Sequence, residues 1–227
     1  MPITEATLRF LQENRLRNSR EWYQEHKLDY RRLVTEPMTE LAERLLPTML
    51  ELDPLFATEP NQGRHLSRIN RDTRFSHDKS LYREVMWVVF TRDKKAWECP
   101  PGFVFEFSPD GFRYGCGYYS VPPKYMEAVR ALILAGDPSY LAAKKAMDAQ
   151  STFHLEGEMY KRSRYPDRPE DERDWLDRKC LCWLCNSTDF PLLYSEDLYR
   201  PLAEGFRLLK PVYDFLWKAE ERMRRAE

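Results

Sequence analysis

The feature that most constrains this chain is a change of rhythm. Over the first fifty residues, apolar side chains recur at helical spacing; between Leu66 and Tyr119 the period falls toward two; beyond Pro122 the helical spacing returns. An order of helices, strands and helices again belongs to an α+β fold. It predicts a helical N-terminal part over about residues 1–50, a central antiparallel sheet, further helices and a C-terminal helix, in one domain spanning 1–227.

The local signals fill in that plan. A first helix is expected over 4–17, with Thr4 as its cap and Leu8, Leu11 and Leu16 on its apolar stripe, and Asn18-Ser19 breaks it. A second helix starts near Ser19, and Pro37 suits the first turn of a third running through Met38, Leu41, Leu45 and Leu46. Pro47, Pro54, Pro60 and Gly63 then read as loop or turn markers. Strands are expected at Leu66–Asn70, Val85–Thr91, Gly102–Ser108 and Phe112–Tyr119. The last two form a hairpin centred on Asp110-Gly111 in "SPDG". Helices are expected over 123–135 and 137–149, loop with short elements over 150–178, and a strand at "KCLCWL". Pro211 kinks or restarts the C-terminal helix.

Composition excludes several classes. The 36 Lys and Arg are balanced by 37 Asp and Glu, so any basic site is local and a nucleic-acid domain is disfavoured. The longest fully apolar run, Val85–Phe90, is far short of the roughly 18 residues a membrane span needs. Glu5 stands where a secretion signal would carry basic residues, and five cysteines, three of them within 180–185, suit reduced thiols. These features point to a soluble, cytoplasmic protein with no membrane partner.

The densest charge chemistry is "INRDTRFSHDKSLYRE", residues 69–84. Arg68, Arg71 and Arg74 recur every three residues, His77, Lys79 and Arg83 follow, and Asp72 and Asp78 are interleaved. Residues 61–95 hold nine Lys or Arg against four Asp or Glu, a basic excess within a near-neutral chain. Guanidinium forks suit bidentate capture of carboxylate or phosphate, Lys79 adds a point charge, and Tyr82 adds a phenolic donor. One reading is an anion pocket at a sheet edge, with Asp72, Asp78 or His77 as an acid–base group. The other is a brace, in which Asp72 and Asp78 pair with Arg71, Arg74 and Lys79 inside the loop while Phe75 anchors it to the core.

"RINRDTRFSHDKSLYRE" resembles the signature of the family catalogued as domain of unknown function 2461, and the resemblance extends over nearly all of the chain. "FLQENRLRNSREWYQEHKLDY", "GFVFEFSPDG" with "GCGYY", and "LEGEMYKR" followed by "WLDRKCLCW" resemble its other segments. His77 stands where the family's pattern has Lys, and Leu81 where it has Pro. The family's name carries no activity; the resemblance implies the fold class and the residues to test. Those are Arg20, Glu21, Trp22, Arg71, Asp72, Arg74, Asp78, Lys79, Tyr82, Gly115, Gly117, Lys161 and Lys179. Arg20 and Lys179 join the candidate ligand-binding set on this ground, while Gly115 and Gly117 leave room on a strand for another backbone or a ligand.

"CLCWLC" is the rival signal. A strand sends Cys180 and Cys182 one way and Cys185 the other, and no nearby His completes a ligand set, so no metal site and no cofactor are indicated. "GCGYYS" fails the dinucleotide pattern at Ser120. Two functions remain as expectations: a small-molecule enzyme or ligand-binding protein holding a phosphate- or carboxylate-bearing ligand, or an interaction module whose loop 68–83 meets an acidic protein or a nucleic acid.

Overall fold

The computed structural model of the chain describes residues 2–57, 65–93, 99–118 and 120–225. Pro60, Gly63 and Tyr119, read from sequence as loop markers and a strand end, lie outside these residues.

Helix α1, Glu5–Arg17, begins with a reciprocal cap: Thr7 N donates to Thr4 Oγ1 at 3.4 Å and Thr4 N donates to Thr7 Oγ1 at 3.0 Å. It ends because Asn18 takes the left-handed conformation, φ 48°, which asparagine tolerates better than most residues. Ser19 caps α2, Arg20–Glu25, by accepting from Trp22 N, and α3, Lys27–Tyr30, follows after His26.

A π-helical stretch, Arg31–Thr35, joins α3 to α4, Glu36–Leu52. Proline at 37 removes the N–H that would have bonded the Leu33 carbonyl four residues earlier. That carbonyl instead accepts from Thr7 Oγ1 of α1 at 2.7 Å. The proline thus opens a position through which two helices are joined.

Pro47 corrects the sequence reading, since it lies inside α4 rather than in a loop. Leu41, Leu45, Met49 and Leu52 continue the buried stripe past it. At about 1.5–3 kcal/mol for each fully buried side chain, that stripe outweighs the roughly 3 kcal/mol cost of an interior proline. Pro47 faces solvent, as does Glu43, whose carbonyl it leaves without an N–H donor.

The strands are β1, Met86–Phe90; β2, Gly102–Ser108; β3, Gly111–Gly117; β4, His154–Glu156; and β5, Cys182–Ser187. They form one antiparallel sheet in the order β1-β2-β3-β5-β4. Between β2 and β3 the turn falls on Pro109-Asp110, one residue earlier than expected, and Gly111 opens β3 at φ 144°. A Cβ at Gly111 would lie 2.6 Å from the Ser187 carbonyl oxygen, so the position both requires positive φ and admits no side chain. The remaining helices are α5, Pro123–Leu134; α6, Pro138–Asp148; α7, Glu170–Leu176; α8, Phe190–Leu193; α9, Tyr199–Leu208; and α10, Lys210–Arg225. The break between α9 and α10 falls at Leu209, two residues before Pro211.

The chain divides into two compact units, each drawn from three stretches. The first comprises Met1–Phe90, Val104–Tyr114 and Asn186–Glu204. Its core joins the buried faces of α1 and α4 to Met86, Val88 and Phe90, with Phe105 lying between Phe107 and Phe112 at centroid distances of 5.8 and 6.1 Å. The second comprises Thr91–Phe103, Gly115–Cys185 and Gly205–Glu227, with α10 packed against α5 and α6. There Trp175 meets Trp183 at 4.7 Å, and Phe103 lies between Phe206 and Tyr213.

Gly115 and Gly117 meet another backbone. A Cβ at Gly115 would sit 1.8 Å from the Trp183 carbonyl oxygen, and one at Gly117 would sit 2.3 Å from that of Leu181. The strand containing both residues is pressed this closely only because neither carries a side chain.

Candidate functional site

The arginine-rich segment lies in the first unit, on an irregular hairpin. Residues 65–70 run back along 82–89 through two isolated antiparallel bridges, Leu66↔Val88 and Asn70↔Tyr82. The first side advances four residues between these bridges and the second six, so the ladder carries a bulge and cannot continue. The strand expected at Leu66–Asn70 is therefore a bridged segment beside β1. At the neck, Arg71 N donates to Leu81 O at 2.8 Å and Arg83 N to Ile69 O at 2.9 Å, closing the loop between them.

Asp78 holds this loop together. One of its oxygens accepts from Arg15 Nη2 at 2.6 Å and from Arg71 Nη1, while the other accepts from the Ser80 backbone N–H and hydroxyl. The hydrogen bonds of Ser80, followed by those of Arg15 and Arg71, hold its pKa far below the usual carboxylate range. Arg15 also donates to Tyr82 O at 3.1 Å, and Asn18 Oδ1 accepts from Leu81 N at 2.7 Å. The end of α1 and its left-handed cap thereby seat the loop. Arg15 and Asn18 are partners that reading the loop alone did not identify; α1's termination at Asn18 was the available signal.

Asp72 makes a separate fork with Arg74, at 3.0 Å from Nε and 2.7 Å from Nη2, which lowers its pKa to about 2. The expected intraloop ion pairs therefore form for Arg71 and Arg74. Lys79 instead donates to Thr73 O at 2.9 Å. Phe75 overturns the expected core anchor: it is 94% exposed, with the Arg74 guanidinium 5.8 Å from its ring centroid. His77 is exposed at the same tip.

Tyr82 is 2% exposed and packs on Tyr23 with centroids 5.1 Å apart, so it serves the packing of the neck. Burial raises its phenol pKa, while nearby Arg20 lowers it and Glu21 raises it. Glu21 is held below its ordinary range by a backbone N–H at the start of α2 and by Ser19. Trp22 stacks on His26 at 4.0 Å.

Beside the neck is a cleft of about 450 Å³, lined by Leu66, Ser67, Arg68, Asn70, Arg71, Asp72, Arg83 and Trp87. Met86, Val88 and Phe90 point to the core, and strand alternation puts Trp87 on the opposite face. The Arg83 guanidinium stacks over Trp87 at 4.6 Å, and its Nη2 donates to Asn70 O at 3.1 Å. Its Nε is buried with no hydrogen-bond partner, and its pKa is lowered by burial and then by the charge of Arg71. Among the described residues, neither Arg68 nor Arg83 has a carboxylate partner, whereas the charge of Asp72 is already matched by Arg74. Arg68 and Arg83 stood in the same charged stretch, but sequence order could not show which arginines lacked counter-charges.

Lys179 belongs to the second unit, where it forms an ion pair with Glu158 and lies 5.9 Å from the Tyr160 ring. Arg130 also faces that ring; it is 1% exposed and satisfied by the carbonyls of Leu176 and Arg178. Lys161 is exposed in the same unit. No disulfide joins any of the five cysteines, and among the described residues no group of three His, Cys, Asp or Glu is placed to hold a metal. Among those residues no helix is long and apolar enough to cross a membrane.

A family model described as conserved hypothetical protein (DUF2461) matches residues 6–215. No curated protein matches the chain.

Proposed function

We propose, for a chain that belongs to the conserved hypothetical family DUF2461, that the cleft beside the hairpin neck binds a small molecule through a phosphate or carboxylate. The supporting observation is Arg83: a guanidinium without a carboxylate partner, its Nε buried and unbonded, on the wall of a cleft that also presents Arg68 and Arg71. An anion there would supply the counter-charge that Arg68 and Arg83 lack. Asp72 and Asp78, as low-pKa carboxylates clasped by arginines, suit positioning better than proton transfer near neutral pH. His77 is the residue we assign to any acid–base step. Five cysteines with no disulfide among them favour a cytoplasmic setting.

The test is a thermal-shift screen against phosphates, sugar phosphates, nucleotides and carboxylates. A ligand at about a hundred times its dissociation constant adds roughly 2.7 kcal/mol, and each kcal/mol raises the melting temperature by roughly 2–4 °C. Arg83→Gln should remove the shift while remaining folded, and Phe75→Ser should retain it. No shift from any compound would overturn the reading. A second reading, docking of an acidic protein or a nucleic acid by loop 68–83, is favoured by the exposure of Phe75. It predicts the reverse pattern for the two variants when macromolecular binding is measured.

A further inference from the structure

The charge inventory of the cleft narrows the ligand class. Three guanidiniums line it against one carboxylate, and that carboxylate is forked to Arg74 from outside the lining. Arg71 shares Asp78 with Arg15, leaving two cations around one carboxylate in that network as well. Arg68 and Arg83 add two further positive charges without carboxylate partners. A singly charged anion would leave part of this charge unmatched in a partly desolvated site, whereas a dianion would match Arg68 and Arg83 together.

From this we infer that the cleft selects doubly charged tetrahedral anions, in the form of a phosphate monoester, over monocarboxylates. The inference rests on the anion-binding reading above. A volume of about 450 Å³ exceeds what a phosphoryl group fills and lies within the usual range for small-molecule sites. The organic part of the ester would lie against Leu66, Ser67 and the Trp87 wall, with the phosphoryl group at Arg68, Arg71 and Arg83. No bond is made or broken in this assignment; it concerns recognition alone.

The test uses three minimal probes that need no organic body: inorganic phosphate, sulfate and acetate. Binding to the full chain is followed by the Nε–H signal of Arg83 in arginine-labelled protein, assigned by its loss in Arg83→Gln, at pH 8 and pH 5. Groups facing Arg83 are Arg68, Arg71 and Asp72 across the cleft, Trp87 beneath it and the Tyr30 phenol beside it, and the lowered pKa of Asp72 keeps that carboxylate charged across the range. His65 and His77 are the histidines near in sequence, and sulfate, dianionic at both values, is the control for any effect of pH that does not act through the charge of the anion.

Sulfate should bind about equally at both pH values and at least tenfold tighter than acetate. Phosphate should match sulfate at pH 8 and weaken roughly tenfold relative to it at pH 5, because its second proton binds between the two values. Acetate binding as tightly as sulfate would overturn the dianion inference while leaving the anion cleft standing. If phosphate keeps its affinity relative to sulfate on acidification, double charge is not what is recognised, and the inference also falls. If no probe moves the Arg83 signal, both readings fall.

Discussion

Arg71 and Arg74 carry the same charge three positions apart, and the loop uses them differently. Arg71 is 22% exposed at its side chain and bonds Asp78, Ser80 and Ser76, whereas Arg74 is 77% exposed and bonds only the neighbouring Asp72. Arg71→Ala should therefore cost about 1–2 kcal/mol, the scale of charge-assisted hydrogen bonds lost at a half-covered position. Arg74→Ala should leave the melting temperature unchanged, as expected for an exposed pair. Paired thermal melts check both; equal losses would show that the two arginines brace the loop alike. A sequence reader sees two equivalent members of a repeat, because the distinction lies in Arg15, which reaches Asp78 from 63 residues away.

At the level of elements, the loop depends on acid-sensitive contacts. Asp72 and Asp78 have folded pKa values below the unfolded value of about 4. A carboxylate with a depressed folded pKa stabilises the fold above its unfolded pKa, and that stabilisation is lost as pH falls through the folded one. Loss should begin below about pH 4, with the Asp72 share gone near pH 2 and the Asp78 share persisting lower still. Amide exchange at Leu81, whose N–H rests on Asn18, should accelerate in that range, and Asp78→Asn should speed it already at neutral pH. An acid profile unchanged by Asp78→Asn would remove Asp78 as the clasp. The helices, the β2–β3 hairpin and the α+β class were readable because periodicity and caps are local signals. Pro47 was misread because a local breaker lost to a buried stripe, and Leu66–Asn70 because a bulge depends on its partner strand. Phe75 was assigned to the core by residue type, and only the seating of the loop on α1 shows why its tip faces solvent.

For the whole molecule, the tightest test is Gly115. Its missing Cβ is replaced by the Trp183 carbonyl oxygen, 1.8 Å from where it would lie, so Gly115→Ala must displace backbone. A loss of roughly 3 kcal/mol or more is expected. Gly136→Ala is the control: with nothing within 4 Å and φ +61°, it should cost only about 1–2 kcal/mol of left-handed strain. Denaturant melts of the two variants decide whether close backbone approach or backbone conformation limits the fold. The division of the chain into interleaved stretches also has a consequence during synthesis. Leu193, Leu198 and Leu202 of the first unit's core lie in its last stretch, Asn186–Glu204, well after Phe90 in the chain. At about 5–20 residues per second a ribosome needs roughly 5–20 s to pass from Phe90 to that stretch. The segment carrying the cleft, complete by Phe90, therefore emerges and waits with part of its apolar core still unmade, and in that interval a nascent-chain chaperone has its longest opportunity to bind.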